Sequence, residues 1–191
     1  MNDDYIAGFF DGEGSAMILT VRVKRGEKMF YRFRPVVKIS QKTRPALQAI
    51  QRHLGYGTVV YNNGIHILEI EGLDGVIDFA TKISSRCEIK GDALKIVEDL
   101  ARFQLKEGNK FRNRPYTKDE TLLMLDLRDR LFALNQIRKA RIQQKYSRDK
   151  ILSETIFVTD LKAWHRERAY HSLASATRPL HGRGRRVVKN V

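Results

Sequence analysis

Asp11 and Glu13 flank a single glycine near the start of the chain, inside the stretch IAGFFDGEG that spans residues 6–14. Carboxylates are the natural ligands of hard divalent cations, which take oxygen donors. The residues before them read as a short helix over residues 5–11, apolar nearly all round and so expected to be buried on every side. The last carbonyls of such a helix have no partner within it, and the negative end of its dipole points the same way. A cation is welcome there. Asp11 and Glu13 lie two apart and cannot face one point on a helix. At most one would ligate a central metal, and Glu13, nearer the end, is the better placed. The plainer alternative makes both acids polar residues around a helix stop. No Ser-His-Asp or Cys-His grouping stands out, so no nucleophilic side chain is offered.

Gly8 and Gly12 stand four apart on one helical face, leaving a groove in which a second helix can approach backbone to backbone. Gly14 falls where a left-handed residue would end the helix. From Ser15 the pattern alternates. In SAMILTVRVKR, Met17, Leu19, Val21 and Val23 oppose Thr20, Arg22 and Lys24. In YRFRPVVKISQ, Phe33, Val37 and Ile39 oppose Arg32, Arg34, Lys38 and Ser40. The two runs predict a hairpin of half-buried strands, with an edge or bulge near Pro35. Arg22, Lys24, Arg32, Arg34 and Lys38, with no acid among the exposed positions, are expected to line a DNA-contacting face with Thr20 and Ser40, the alternative being an ordinary solvated face. Arginine there would read guanine edges and lysine would hold phosphates.

A helix follows in KTRPALQAIQRHLG, with Thr43 as N-cap and Gly55 as stop. Two short strands, GTVVYN and GIHILEI, turn at Asn62-Asn63-Gly64 and add Thr58, Asn62 and His66 to the candidate contacts. DGVIDFATKIS and GDALKIVEDLARFQLKEG read as helices. The fold class is α+β: an αββαββα core with an antiparallel sheet over residues 1–110. A helical extension over 111–178 follows, with helices at 118–146 and 159–175, and a basic, weakly ordered tail covers 179–191.

Lys and Arg outnumber Asp and Glu by 36 to 22, a formal charge of +14. That excess favours a polyanion as partner, since each neutralised phosphate releases a counterion. No apolar run approaches the roughly 20 residues of a membrane span, and the acidic start is unlike a signal peptide. A single cysteine, Cys87, suits a reducing interior and reads as a packing residue. The expected partner is nucleic acid, the expected location intracellular, with no membrane partner and no small-molecule cofactor.

YIAGFFDGEGS resembles the motif of the LAGLIDADG homing endonucleases: hydrophobe-Ala-Gly-hydrophobe-hydrophobe-acid-Gly-acid-Gly. The αββαββα order and ISQKT (residues 39–43) at the end of the second strand strengthen the resemblance. It implies motif helices packed across an interface, a saddle-shaped sheet in the DNA major groove, and metal-dependent cleavage of both strands. The metal-binding acid falls on Glu13, where many members carry Asp, with the carbonyl of Gly12 beside it. Gln41 matches the glutamine that orders water near the scissile phosphate. The basic residue after the second pair of strands falls on Lys90, with Arg86 as the fallback, and a further basic role near Pro45 falls on Arg44. The implied cofactor is Mg²⁺ or another divalent cation such as Mn²⁺.

Members carry one motif and dimerise, or two and act alone. LARFQLKEG (residues 100–108) is no second copy, because Arg102 and Lys106 replace the glycines. A homodimer is therefore expected, with Ala7, Gly8, Asp11 and Gly12 at its interface and a roughly palindromic DNA target. The alternatives are an RNA maturase, a non-cleaving DNA-binding protein on the same fold, or an unrelated RNA-binding protein.

Overall fold

The computed structural model describes residues 1–25, 28–106, 116–137, 146–155 and 157. The chain divides into two units, Met1–Phe157 and Val158–Val191. The helix expected over 159–175 and the tail expected over 179–191 lie outside the described residues.

Helix α1 (Asp3–Glu13) runs longer at both ends than the apolar pattern suggests. The Asn2 side chain accepts a hydrogen bond from the Tyr5 amide at 3.0 Å, and Asp3 and Asp4 sit in the first turn, where the helix dipole favours negative charge. Only one side is buried. Ile6, Ala7 and Phe10 enter the core, whereas Tyr5, Gly8 and Gly12 are exposed. The expectation of burial on every side is corrected, and the glycine-bearing face has no partner within the described residues of the chain.

Strands β1 (Gly14–Arg25), β2 (Lys28–Gln41), β3 (Thr58–Asn62) and β4 (Ile65–Ile70) form an antiparallel sheet of order β1-β2-β4-β3. The β3–β4 turn uses Asn63 at φ 48° and Gly64 at φ 83°, the positive pair a type I′ turn demands. Helix α2 (Arg44–Leu54) follows β2 and ends at Gly55, which is left-handed at φ 79° as expected. Thr43 is its N-cap residue but makes no side-chain cap bond. Helix α3 (Leu73–Ile83), a 3₁₀ turn (Ser84–Arg86) and helix α4 (Gly91–Lys106) complete the αββαββα core. Pro35 sits opposite Ile18 in an unbroken register with no bulge. The ladder to β4 starts only at Val37, so at Pro35 strand β2 has β1 on one side alone, which accommodates the missing N–H.

Residues directly opposite in an antiparallel ladder share a face of the sheet. Ala16 pairs with Val37, Ile18 with Pro35, Thr20 with Phe33, Arg22 with Tyr31, and Lys24 with Met29. Val37, Phe33 and Tyr31 belong to the hydrophobic core. Thr20, Arg22 and Lys24 therefore lie on the helix-covered face, not beside Arg32, Arg34 and Lys38 as expected. Met17, Leu19, Val21 and Val23 occupy the open face instead. Alternation within each strand is as read; which face packs inward is reversed for β1. Both faces of that strand are half apolar, so its own pattern does not choose, and the larger aromatics of β2 do.

Helices α5 (Lys118–Ile137) and α6 (Arg148–Glu154) belong to the same unit as the core. Tyr31 donates to the Glu154 carboxylate and packs edge-on against Tyr146, ring centroids 5.1 Å apart. Arg22 pairs with Glu154 at 3.2 Å. The buried Gln104 amide donates to the Phe33 carbonyl at 2.6 Å.

Candidate DNA-cleavage site at the foot of the motif helix

The candidate site residues Gly12 and Glu13 sit at the C-terminal end of α1. Gly14 leaves the helix in an extended conformation, φ −88° and ψ 161°, so the expected left-handed cap is corrected. Its glycine is required by close approach, because a Cβ there would stand 2.1 Å from Phe10 Cδ2. The foot of the helix is occupied by a cation of the chain itself. Lys90 Nζ donates to the carbonyls of Gly14 at 2.7 Å, Phe10 at 3.2 Å and Gly12 at 3.4 Å, and lies 5.9 Å from the Phe10 ring centroid. Of the two basic residues the sequence left open, Lys90 is the one brought there. Arg86 is committed elsewhere, to Asp4 at 2.6 Å and the Lys82 carbonyl at 3.1 Å.

Glu13 is exposed, and among the described residues it makes no hydrogen bond or ion pair. Its neighbour Gly14 stands opposite Ile39. The start of β1 and the end of β2 thus share one border of the sheet, which places Gln41 at the same end as Glu13. Gln41 is half-buried, pairs with His66 across the ladder, and accepts from the Lys42 amide at 2.9 Å. Lys90 thus meets the Gly12 carbonyl beside Glu13, and Gln41 lies at the same border of the sheet. Arg44 opens α2 on an exposed turn nearby in sequence.

Two of the expected interface residues make contacts within the chain itself. Ala7 is 0% exposed, and its carbonyl faces the Cys87 thiol at 3.8 Å. Asp11 turns toward its own chain, accepting from the amides of Glu88, Ile89 and Lys90. Positions 7 and 11 form one row of the helix, spent on contacts within the chain, and positions 8 and 12 form the adjacent row, which is exposed. Gly8 and Gly12 remain, and a Cβ on either would meet nothing within 4 Å. Burial and the nearby Asp11 carboxylate push the Cys87 thiol up to about 12, so it is no thiolate nucleophile.

Among the described residues, no group of three or more His, Cys, Asp or Glu could enclose a metal. One carboxylate and one helix-end carbonyl do not make a closed zinc site. They do fit Mg²⁺, which keeps several waters and takes further oxygens from substrate phosphates.

The open face carries Arg32, Arg34, Lys38 and Ser40 of β2 with Thr58 and Asn62 of β3, as their pairing partners show. His66 pairs with Tyr61, ring centroids 4.8 Å apart, at the border rather than on this face. Acids from β4 and the residue after it also enter: Glu69 pairs with Lys38 and Glu71 with Arg34 at 2.5 Å. Reading the first hairpin alone missed them. The alternation of HILEIE was the available signal, since Ile65, Ile67 and Glu69 must share the face opposite Leu68 and Ile70.

A helix feeding a four-stranded antiparallel sheet, with further helices packed on it, is the fold of the homing endonucleases among solved structures. Residues 6–85, from α1 through α3, match the family model described as LAGLIDADG endonuclease. Among solved structures, the archaeal intron-encoded homing endonuclease I-Vdi141I, complexed with DNA, is 23% identical with a TM-score of 0.64, covering 79% of this chain and 92% of its own. The homing endonuclease I-CvuI, in complex with a target DNA in the presence of Mg, is 19% identical with a TM-score of 0.60, covering 79% and 90%. The LAGLIDADG meganuclease I-AabMI, bound to uncleaved DNA, is 16% identical with a TM-score of 0.56, covering 85% of this chain but 52% of its own. No curated protein matches the sequence. No helix among the described residues is long and apolar enough to cross a membrane.

Proposed function

We propose that this protein is a site-specific endonuclease that hydrolyses both strands of a long, roughly palindromic DNA target as a homodimer inside the cell. The observation that carries the reading is the gathering of Glu13, the Gly12 carbonyl, Gln41 and Lys90 at one end of a helix whose exposed face is glycine. Glu13 and the Gly12 carbonyl would hold a divalent cation, Mg²⁺ or Mn²⁺, which when bound lowers the pKa of a coordinated water and neutralises charge on the phosphate. Gln41 orients the attacking water. Lys90 supplies positive charge where the transition state gains negative charge. Arg32, Arg34, Lys38, Ser40, Thr58 and Asn62 face the major groove, and Arg22, Lys24 and Thr20 take no part in reading bases. Residues 1–110 carry binding and cleavage, and α5 and α6 brace them.

Gly8 and Gly12 bring two α1 helices together so that two feet face one duplex. A match to about half of a meganuclease chain supports a subunit that needs a second copy. Selecting cleaved sites from a randomised duplex library in Mg²⁺ tests target and symmetry together, and a symmetric consensus is expected. Glu13→Gln should keep DNA affinity and lose nicking and cutting. Gly8→Leu should give monomers by sedimentation and no double-strand breaks. Uncut library with wild type, or full activity in Glu13→Gln, would overturn the reading.

A further inference from the structure

We infer that Asp11, the first acid of the motif, is a positioning residue for Lys90, acting through the backbone amides of residues 88–90 rather than through a metal or a partner subunit. The inference rests on the proposed role of Lys90 in cleavage. One carboxylate accepts three consecutive main-chain N–H groups: Glu88 at 2.7 Å and Ile89 at 3.2 Å on Oδ2, and Lys90 at 2.8 Å on Oδ1. An ordinary N-cap serves amides inside the first turn of the helix it caps. These amides precede α4, which begins at Gly91. Glu88 and Ile89 are themselves exposed, so burial of their peptide groups does not demand such a partner.

The bonds belong to a longer alignment. Arg86 reaches Asp4, the Cys87 thiol faces the Ala7 carbonyl, and residues 88–90 meet Asp11. Positions 4, 7 and 11 form one stripe of α1. Segment 86–90 therefore runs as a strap along the motif helix, in the same direction, and delivers Lys90 to its foot. The strap's far end is closed by Gly91, where a Cβ would stand 2.3 Å from the Ser84 carbonyl. With the Lys90 backbone fixed to the helix that also carries Glu13, the two charges keep one spacing, and the flexible lysine stem searches only its own torsions. Such fixing is worth most in catalysis, where a misplacement of about 1 Å costs roughly a hundredfold in rate.

The experiment is a double-mutant cycle on the full chain, using a target site recovered from the library and reading single-turnover cleavage at saturating DNA and Mg²⁺. Asp11→Asn should slow cleavage roughly a hundredfold with the Kd for the same DNA in Ca²⁺ unchanged. In a Lys90→Ala background it should slow cleavage no further. The same factor in both backgrounds, or no slowing, would overturn the inference while leaving the nuclease reading intact. Lys90→Ala cutting at the wild-type rate would remove Lys90 from the reaction, and with it anything for Asp11 to position. An independent readout needs no variant to fold well: the amides of Glu88, Ile89 and Lys90 should be protected from hydrogen exchange in wild type. Exchange at open-loop rates would refute the clamp.

Discussion

Gly14→Ala separates the two reasons for glycine in the motif. An ideal Cβ at position 14 stands 2.1, 2.5 and 2.6 Å from Phe10 Cδ2, Cε2 and Cγ. The ring must retreat by more than about 1 Å to restore ordinary contact. It has nowhere easy to go, because Phe10 is 0% exposed and meets Phe79 edge-on with centroids 5.4 Å apart. Overpacking a dense core costs about 1–3 kcal/mol. In a chain of this size each kcal/mol moves Tm by roughly 2–4 °C, so Gly14→Ala should melt about 2–12 °C early. The Gly14 carbonyl also accepts from Lys90, so activity should fall with stability. Calorimetry at matched protein concentration reads the effect. Phe10→Leu should relieve it, so that the double variant is more stable than the two single losses predict. Gly12→Ala is the contrast: its Cβ meets nothing within the chain, and the subunit itself should gain about 0.5–1 kcal/mol of helix preference. A Gly14→Ala variant melting within about 1 °C of wild type would refute the packing account.

Glu71→Gln frees Arg34 from its partner on the open face. Exposed pairs are worth about 0.2–1 kcal/mol, so affinity for non-cognate duplex should rise by a factor of about 1.4–5, with a steeper salt dependence, in filter-binding titrations. Burial, followed by the bond to Glu154, lifts the Tyr31 phenol from 10.0 to about 12. A raised folded value means that this contribution to stability is complete below pH 10, where both states are protonated. It is lost as pH rises toward 12 and the unfolded chain ionises first. Alkaline denaturation should be shallower in Tyr31→Phe, and equal slopes would contradict the assignment.

Element order and the β3–β4 turn were legible because they rest on local signals, periodicity and Asn-Gly, whereas Gln41 and Lys90 entered only through the resemblance to a family. What escaped depends on contacts distant in sequence. Thr20, Arg22 and Lys24 look like partners of Arg32 and Arg34 in sequence, yet their pairing with Phe33, Tyr31 and Met29 puts them on the other side of the sheet. Asp11 reads as an interface or metal residue until segment 88–90, far along the chain, arrives to claim it. Glu69 and Glu71 become neighbours of Lys38 and Arg34 only once β4 docks beside β2. A helix at residues 148–154 also went unread, being too short for a periodic stripe.

The first hairpin is far longer than the sheet that holds it. β4 supports only residues 37–41 of β2, so from Lys28 to Val36 the two strands stand as a ribbon. Ribbons of two strands are marginal in water. Tyr31 and Phe33 hold this one by leaning on Tyr146, Tyr116 and Glu154, which turns the late helices into the splint of an otherwise cantilevered arm. A chain cut after residue 110 would retain its helix foot and lose part of the support of that arm.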